Sequence, residues 1–530
     1  MAPKCAGLSG RPLHLAITAV STMGFLLFGY DQGVMAGIIS ADQFTDVFTA
    51  AKGDNVIQAT ITAVYELGCF AGAIYTLIFG DRFGRRWTII PGATIMIIGV
   101  IIQVTAFVGH IPLLQFMFGR VITGIGNGMN TATIPTYQAE CSKANRRGLN
   151  ICIEGGTVAI GTMIAYWIDF GTHYATRQDI RDVAWRFPIA FQIVFGIIII
   201  IGIYVLPESP RWLLTKERFD EAEHIMAALM NSEISDPDLQ NEKERAMESI
   251  QAAGAVGKTS YKDLFTGGPT QHFRRMIVGS SSQIFQQLGG CNAVIYYLPV
   301  LLEQSLSESH DQALLIGGFN MVVYAVFATF SWFFVEMIGR RKLFLGGTIF
   351  QLISMIITFV CLIPHGRDPK KGAIFGFFLY MATFGATWLP LPWLYPAELS
   401  PTRTRAKANA VSTCANWLFN FTVVMITPVM VEHIGWRTYL FFAVMNAWAL
   451  PTIYFFYPET AGRTLEEIDM IFEKGFVENI SYVRAAKELP PLSEILGDRF
   501  DDGEKGMAEN QENVGTPAGT REAPHEKDEE

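Results

Sequence analysis

Cysteine is scarce in this chain and poorly placed for chemistry. Its seven cysteines, Cys5, Cys69, Cys141, Cys152, Cys291, Cys361 and Cys414, lie mostly inside apolar segments and form no CxxC pair. That scatter argues against a disulfide framework and a thiolate metal site. Charge is scarce as well. Only 17% of the 530 residues are Asp, Glu, Lys or Arg, and most of them cluster between apolar runs. An ordinary soluble protein is thereby excluded. No Walker loop is present, so ATP does not drive the protein directly. Gly124-Ile125-Gly126-Asn127-Gly128 has no preceding strand and is read as close helix packing. HisXXXHis and Ser-His-Asp arrangements are missing too, so neither an enzyme, a cofactor nor a metal centre is expected. No cleavable signal pattern precedes the first apolar run, which is expected to serve as its own insertion signal. The net charge of −9 says little about partners, because the last thirty residues are themselves strongly acidic. Segment 498–530 is expected to be a disordered acidic tail, and nothing points to nucleic acid.

What the chain has is apolar length. Half of it is hydrophobic and the mean hydropathy is +0.28. Twelve runs are long enough to cross a bilayer. The first six lie near 13–39, 57–79, 87–108, 112–138, 150–170 and 187–206; the second six lie near 273–303, 311–335, 343–363, 373–397, 407–431 and 438–457. The expected architecture is therefore all-α and membrane-embedded, with two six-helix halves at 1–206 and 273–457. A linker at 207–272 holds amphipathic pieces such as RFDEAEHIMAALM, read as short helices or as a solvated connection, and 458–497 follows the last span. Basic clusters after spans two, four, eight and ten put both termini in the cytoplasm, although Arg177, Arg181, Arg367, Lys370 and Lys371 blur the contrast.

The halves repeat. Gly84-Arg85-Arg86 returns as Gly339-Arg340-Arg341, 255 residues later. Glu140 and Arg147 return as Glu398 and Arg405, each 258 residues on, and Pro207-Glu208 through Arg211 returns loosely as Pro458-Glu459 through Arg463, 251 residues on. Near-equal offsets in one order indicate a duplicated six-span unit. Matched acids and bases suggest cytoplasmic ion pairs that latch the halves together in the outward-facing state. The candidates are Asp81, Arg82, Arg85, Arg86, Glu140, Arg147, Glu208 and Arg211 in one half. Glu336, Arg340, Arg341, Glu398, Arg405, Glu459 and Arg463 are their counterparts. Loop charges acting only as topology determinants are the simpler alternative.

Ser280–Tyr297, SSSQIFQQLGGCNAVIYY, is the polar centre of span seven. Gln283, Gln286, Gln287, Asn292, Tyr296 and Tyr297 sit at membrane depth, where uncharged amides need partners or a wet cavity. On an unbroken helix Gln287 and Asn292 point about 140° apart, so Gly289-Gly290 is expected to let them converge. Amides and phenols without charge suit a hydroxyl-rich solute; interhelical hydrogen bonding is the other reading. Asp31 in span one and Arg120 in span four are an expected ion pair, at depths of about 13 Å and about 12 Å below one face. Such a pair is either a static bridge or a proton carrier. Glu154 in span five is a second acid with no evident partner. Thr387-Trp388-Leu389-Pro390-Leu391-Pro392-Trp393 breaks span ten, Trp393 is a candidate cap over a cavity, and Asn416 and Asn420 add a polar face on span eleven.

GYDQG, GDRFGRR, PESPRWL, QQLGGCN with YY, GRR, PAELSPTRTRA and PETAGRTLEEID resemble the sugar porters of the major facilitator superfamily, over residues 15–475. The resemblance implies that Gln286, Gln287 and Asn292 bind substrate, with Trp393 and Asn416 nearby; Tyr297 and Tyr324 are further candidate substrate contacts. Asp31 and Arg120 match the proton-coupled members; facilitative glucose carriers have Asn at the acid. YELGCFAG, NTATIP, EGGTVAIGTMIAYWIDFG and FFYPETAGRTLEEID are similar to the fungal glycerol/proton symporter subgroup. Gly155 and Tyr324 stand where hexose members usually have Gln and Asn. The expectation is a monomeric, plasma-membrane symporter, its partners being protons, membrane lipid and a small polyol or monosaccharide. Rival readings are a proton-independent hexose facilitator, which Asp31 argues against, and a carrier-like nutrient sensor, for which the tail shows no repeated motif.

Overall fold

A computed structural model describes residues 7–106, 111–142, 147–175, 182–255, 261–363, 370–401 and 403–489. Among them every regular element is helical. In hydrocarbon each backbone polar group must be satisfied within its own segment, which leaves the helix as the form these apolar runs can take. The first half runs through Gly10–Ile38, Asn55–Phe83, Arg86–Val104, Pro112–Cys141, Arg147–His173 and Val183–Val205, spans one to six. Span seven is divided into His272–Leu288 and Cys291–Leu306. Span eight is His310–Thr329 continued by Ser331–Ile338; span nine is Arg340–Leu362. Span ten is Lys370–Thr383, a wide helical turn at Phe384–Trp388, and Leu391–Leu399. Arg405–Ile434 and Arg437–Phe456 complete the set.

Nine helices among the described residues are long and apolar enough to cross a membrane by length and composition. The three spans that fall short, four, five and seven, carry Arg120, Glu154 and the glutamines. Their polarity turns inward, while Leu15, Ile78, Phe118, Ile201, Val360 and Phe455 stand exposed on outer faces. The linker forms helices at Pro210–Thr215, Phe219–Met230 and Pro237–Ala255, and two more, Leu465–Val477 and Tyr482–Glu488, follow span twelve. The acidic tail at 498–530 lies outside the described residues.

The repeat read from the sequence reappears as matched bonds. Glu208 Oε1 accepts from the Arg85 backbone N–H at 3.0 Å, and Glu459 Oε1 accepts from that of Arg340 at 2.8 Å. Ser209 donates to Glu140 at 2.6 Å, as Thr460 does to Glu398 at 2.6 Å. Tyr137 donates to the Pro207 carbonyl at 2.8 Å and Tyr395 to that of Pro458 at 3.0 Å. Gly84 and Gly339, at φ +96° and +91°, make the turn in each copy, and a Cβ there would stand 2.7 and 2.8 Å from the same two glutamates.

The halves meet through span two against span eleven, span five against span eight, and span one against the second part of span seven. Polar links between them gather on the face away from the linker. Asn55 Nδ2 donates to Glu432 at 3.0 Å, His173 Nε2 meets Asp311 at 2.8 Å, and Tyr166 donates to the Ile295 carbonyl at 2.6 Å. On the linker face the ion pairs Arg85–Glu140, at 2.9 Å, and Arg340–Glu398, at 2.9 Å, each lie inside one half.

Candidate solute and proton sites

Span seven breaks at Gly290, whose φ of +98° suits glycine and whose Cβ would stand 2.9 Å from the Phe442 ring. The break brings Gln287 and Asn292 together: Asn292 Nδ2 donates to Gln287 Oε1 at 2.5 Å and to Asn420 Oδ1 at 2.6 Å. Asn416 Nδ2 donates to Gln283 Oε1 at 2.5 Å and to Gln286 Oε1 at 3.1 Å. Six amides from spans seven and eleven thus form one buried network.

The prolines of span ten explain the other end of those amides. Proline removes a backbone donor and the wide turn shifts the bonding pattern, so carbonyls lose their usual partners. Gln286 Nε2 takes up the Trp388 carbonyl at 2.7 Å, and Gln283 Nε2 that of Pro392 at 2.7 Å. Both readings of these glutamines therefore have physical content. They bind one helix to another, and they hold a cluster of uncharged donors and acceptors at the centre of the bundle.

The remaining solute candidates divide. Tyr297 is buried and donates to the Val424 carbonyl at 3.0 Å. Tyr324 is buried with a partnerless hydroxyl. Trp393 is only partly buried, whereas Trp388, five residues earlier, is enclosed and donates to Thr348 at 3.1 Å. Gly155 faces Leu389, which a Cβ would meet at 3.7 Å, so there is room at that position.

Asp31 and Arg120 meet: Arg120 Nη1 lies 2.9 Å from Asp31 Oδ1, and both side chains are shut away from solvent. The guanidinium also lies over the Tyr65 ring, 4.6 Å from its centroid. Asp31 Oδ2 and Arg120 Nε and Nη2 have no partner, so the pair is incompletely satisfied in a dry site. Glu154 is buried and makes no ion pair among the described residues.

The other charged candidates hold the linker face of each half. Glu336 joins Arg340 at 3.2 Å, and Arg341 donates to the Tyr454 carbonyl at 2.8 Å, as Arg86 does to that of Tyr204 at 2.6 Å. Arg405 Nε donates to the Ser400 carbonyl at 3.3 Å and Arg463 Nη2 to that of Ala486. Arg82 lies against Phe83, 5.9 Å from its ring centroid, and Arg211 is exposed on the linker. The side chains of Asp81 and Arg147 lie outside the described residues. Burial pushes the Glu208 carboxyl up from its ordinary range, while the backbone N–H groups of Ser209, Arg86 and Arg85 hold it back.

Two buried acids escaped the reading of the sequence. Asp169 in span five accepts from the Gly37 backbone N–H at 3.2 Å. Glu66 in span two is fully buried and accepts from the Tyr296 hydroxyl of the other half. The rule that singled out Asp31, a carboxylate inside an apolar run, applies equally to ITAVYELGC and WIDFG.

Comparison with known proteins decides the family. The model of the family described as "Sugar (and other) transporter" matches residues 16–472. The chain belongs to that family. This transporter is 46% identical over 499 residues to the sugar transporter STL1 of Saccharomyces cerevisiae, covering 92% of this chain and 86% of the relative. It is 44% identical to the major facilitator superfamily transporter mfsA of Aspergillus fumigatus over 502 residues, covering 92% and 91%. Among solved structures, the proton:xylose symporter XylE bound to 6-bromo-6-deoxy-D-glucose superposes with a TM-score of 0.73 at 25% identity, covering 87% of this chain and 99% of that one. The transporter thus has the major facilitator fold, crosses the membrane many times, and is no enzyme.

Proposed function

We propose that this transporter carries a small polyol or monosaccharide into the cell together with a proton, across the plasma membrane. Access alternates between the two halves, and both termini lie in the cytoplasm. The observation that carries the reading is a buried carboxylate–guanidinium pair, Asp31 and Arg120, in the same bundle as a network of uncharged amides. Amides that bond one another can exchange those bonds for solute hydroxyls without leaving a donor stranded. The absence of charge among them favours a neutral solute. Kinship supports both parts: one relative is named a sugar transporter and one structural neighbour a proton:xylose symporter.

In the cycle, Asp31 takes a proton as its pair with Arg120 opens and releases it inward. Gln286, Gln287, Asn292 and Asn416 hold the solute, with Tyr297, Tyr324 and Trp393 around it. Interhalf bonds on the face away from the linker correspond to an outer gate that is shut. In the opposite state the clusters around Arg85–Glu140 and Arg340–Glu398 meet and latch the linker face. A single transport unit suffices for this cycle.

Uptake of radiolabelled glycerol, glucose and xylose in a transporter-null yeast, with and without a proton uncoupler, tests the reading. Accumulation should collapse with the uncoupler and in Asp31→Asn. Accumulation of any of the three that resists the uncoupler would overturn the proton role; sugar in place of glycerol would fix the substrate.

A further inference from the structure

Glu66 is the least compensated carboxyl next to the proposed proton pair. It lies in span two, fully buried; Oε1 accepts from Tyr296 of span seven, and Oε2 has no partner. No ion pair reaches it among the described residues. Arg120 of span four is the nearby cation, and its one short ion pair is with Asp31 of span one. Tyr65 on its own helix and Asn420 of span eleven complete the polar surroundings. Two carboxyls therefore share one guanidinium in a site closed to water. Burying the second as an anion is costly, and the Tyr296 hydroxyl with the Asn420 amide beside it offsets only part of that cost.

Glu66 also occupies a strategic place. Tyr296 belongs to the second half and Glu66 to the first, so their hydrogen bond crosses the interface that shuts the face away from the linker. Asn420, beside Glu66, bonds Asn292 of the amide network at 2.6 Å. One carboxyl thus bonds across the gate and lies within electrostatic reach of the Asp31–Arg120 pair and beside the solute cluster.

We propose that Glu66 is a second proton-binding site, and that the gate on this face closes only over its neutral form. With the gate open, water reaches Glu66 and the carboxylate is ionised. A proton from that water then binds Oε2; the Tyr296 hydroxyl, keeping its own proton, donates to Oε1, and the halves close. Closure takes up one proton at Glu66 in addition to any held by Asp31. The proposal rests on alternating access, but not on the identity of the solute or on Asp31 as carrier.

The test reads the gate directly. Thr62 is buried one turn from Glu66 toward the outer end of span two. In intact cells, a Thr62→Cys variant is labelled by a membrane-impermeant thiol reagent, normalised to a Lys52→Cys reference on the exposed loop before span two, within one half. Labelling should rise with pH, approaching tenfold per unit where one proton governs opening. In Thr62→Cys with Glu66→Gln it should stay low and flat; with Asp31→Asn it should keep its slope. A wild-type slope that survives Glu66→Gln, or no slope in Thr62→Cys itself, overturns the proposal. Should Glu66→Gln fail to reach the membrane, Glu66→Asp must shift the profile, and an unshifted one overturns it equally. Glycerol and xylose uptake with an uncoupler, in the same cells, reports separately on the symport reading.

Discussion

Arg120 has one strong contact, the Asp31 carboxylate, and a ring beneath it. Removing it strands a buried anion. Arg120→Ala should cost about 3–5 kcal/mol, read as a lower melting temperature of the detergent-purified protein, and Asp31→Asn in the same chain should recover much of that loss. Asn292 is the hinge of the amide network, donating to both Gln287 and Asn420. Asn292→Leu leaves those two acceptors bare, so a loss of about 1–3 kcal/mol is expected. If the cluster holds solute, the KM for uptake should also rise in Asn292→Ser, which keeps a donor but shortens its reach. An unchanged KM would assign these amides to helix–helix bonding alone.

Breaks in the helices do more here than the helices themselves. Span seven bends at Gly290 and span ten at its prolines, and glutamines on the first part of span seven occupy carbonyls freed on span ten. The paired turns at Gly84 and Gly339 are a second device of this kind, each facing a glutamate that caps the next span. Gly84→Ala and Gly339→Ala should each cost about 1–3 kcal/mol through the strained backbone, with crowding against Glu208 and Glu459 in addition. Thermal unfolding checks this, and the two losses should be similar because the surroundings repeat. Span boundaries and the repeat were legible in the residues, because apolar length and glycine–arginine punctuation are local signals. The partners of Glu140 and Glu398 were not. The spacing drew attention to Arg147 and Arg405, whereas folding sets Arg85 and Arg340 against the two acids, since helix ends meet in space rather than in sequence.

At the scale of the whole molecule, the contacts between the halves are unequal on the two faces. Asn55–Glu432 and His173–Asp311 tie the halves together away from the linker, and the rings of His173 and His310 lie 4.6 Å apart beside them. A recess of about 400 Å³ opens over this seam, lined by Asn55, Gln304, Glu432 and Trp436 among others. Fixing the seam should stop transport. Asn55→Cys with Glu432→Cys, joined by a short bifunctional thiol reagent, should lose uptake, and a cleavable linker should restore it on reduction. Uptake that continues after complete cross-linking would exclude opening at this seam.

The twelve spans, the duplicated halves, the Asp31–Arg120 pairing and the polar heart of span seven are legible from the residues alone. Each follows from hydrophobic length, from repeated motifs, or from the cost of a polar group in an apolar run. The packing of the helices adds which face is closed, which carbonyls the glutamines satisfy, and that Glu66 near the Asp31–Arg120 pair bonds Tyr296 of the other half. Those facts depend on helices far apart in the chain approaching within hydrogen-bond distance, and no local pattern of residues encodes that approach.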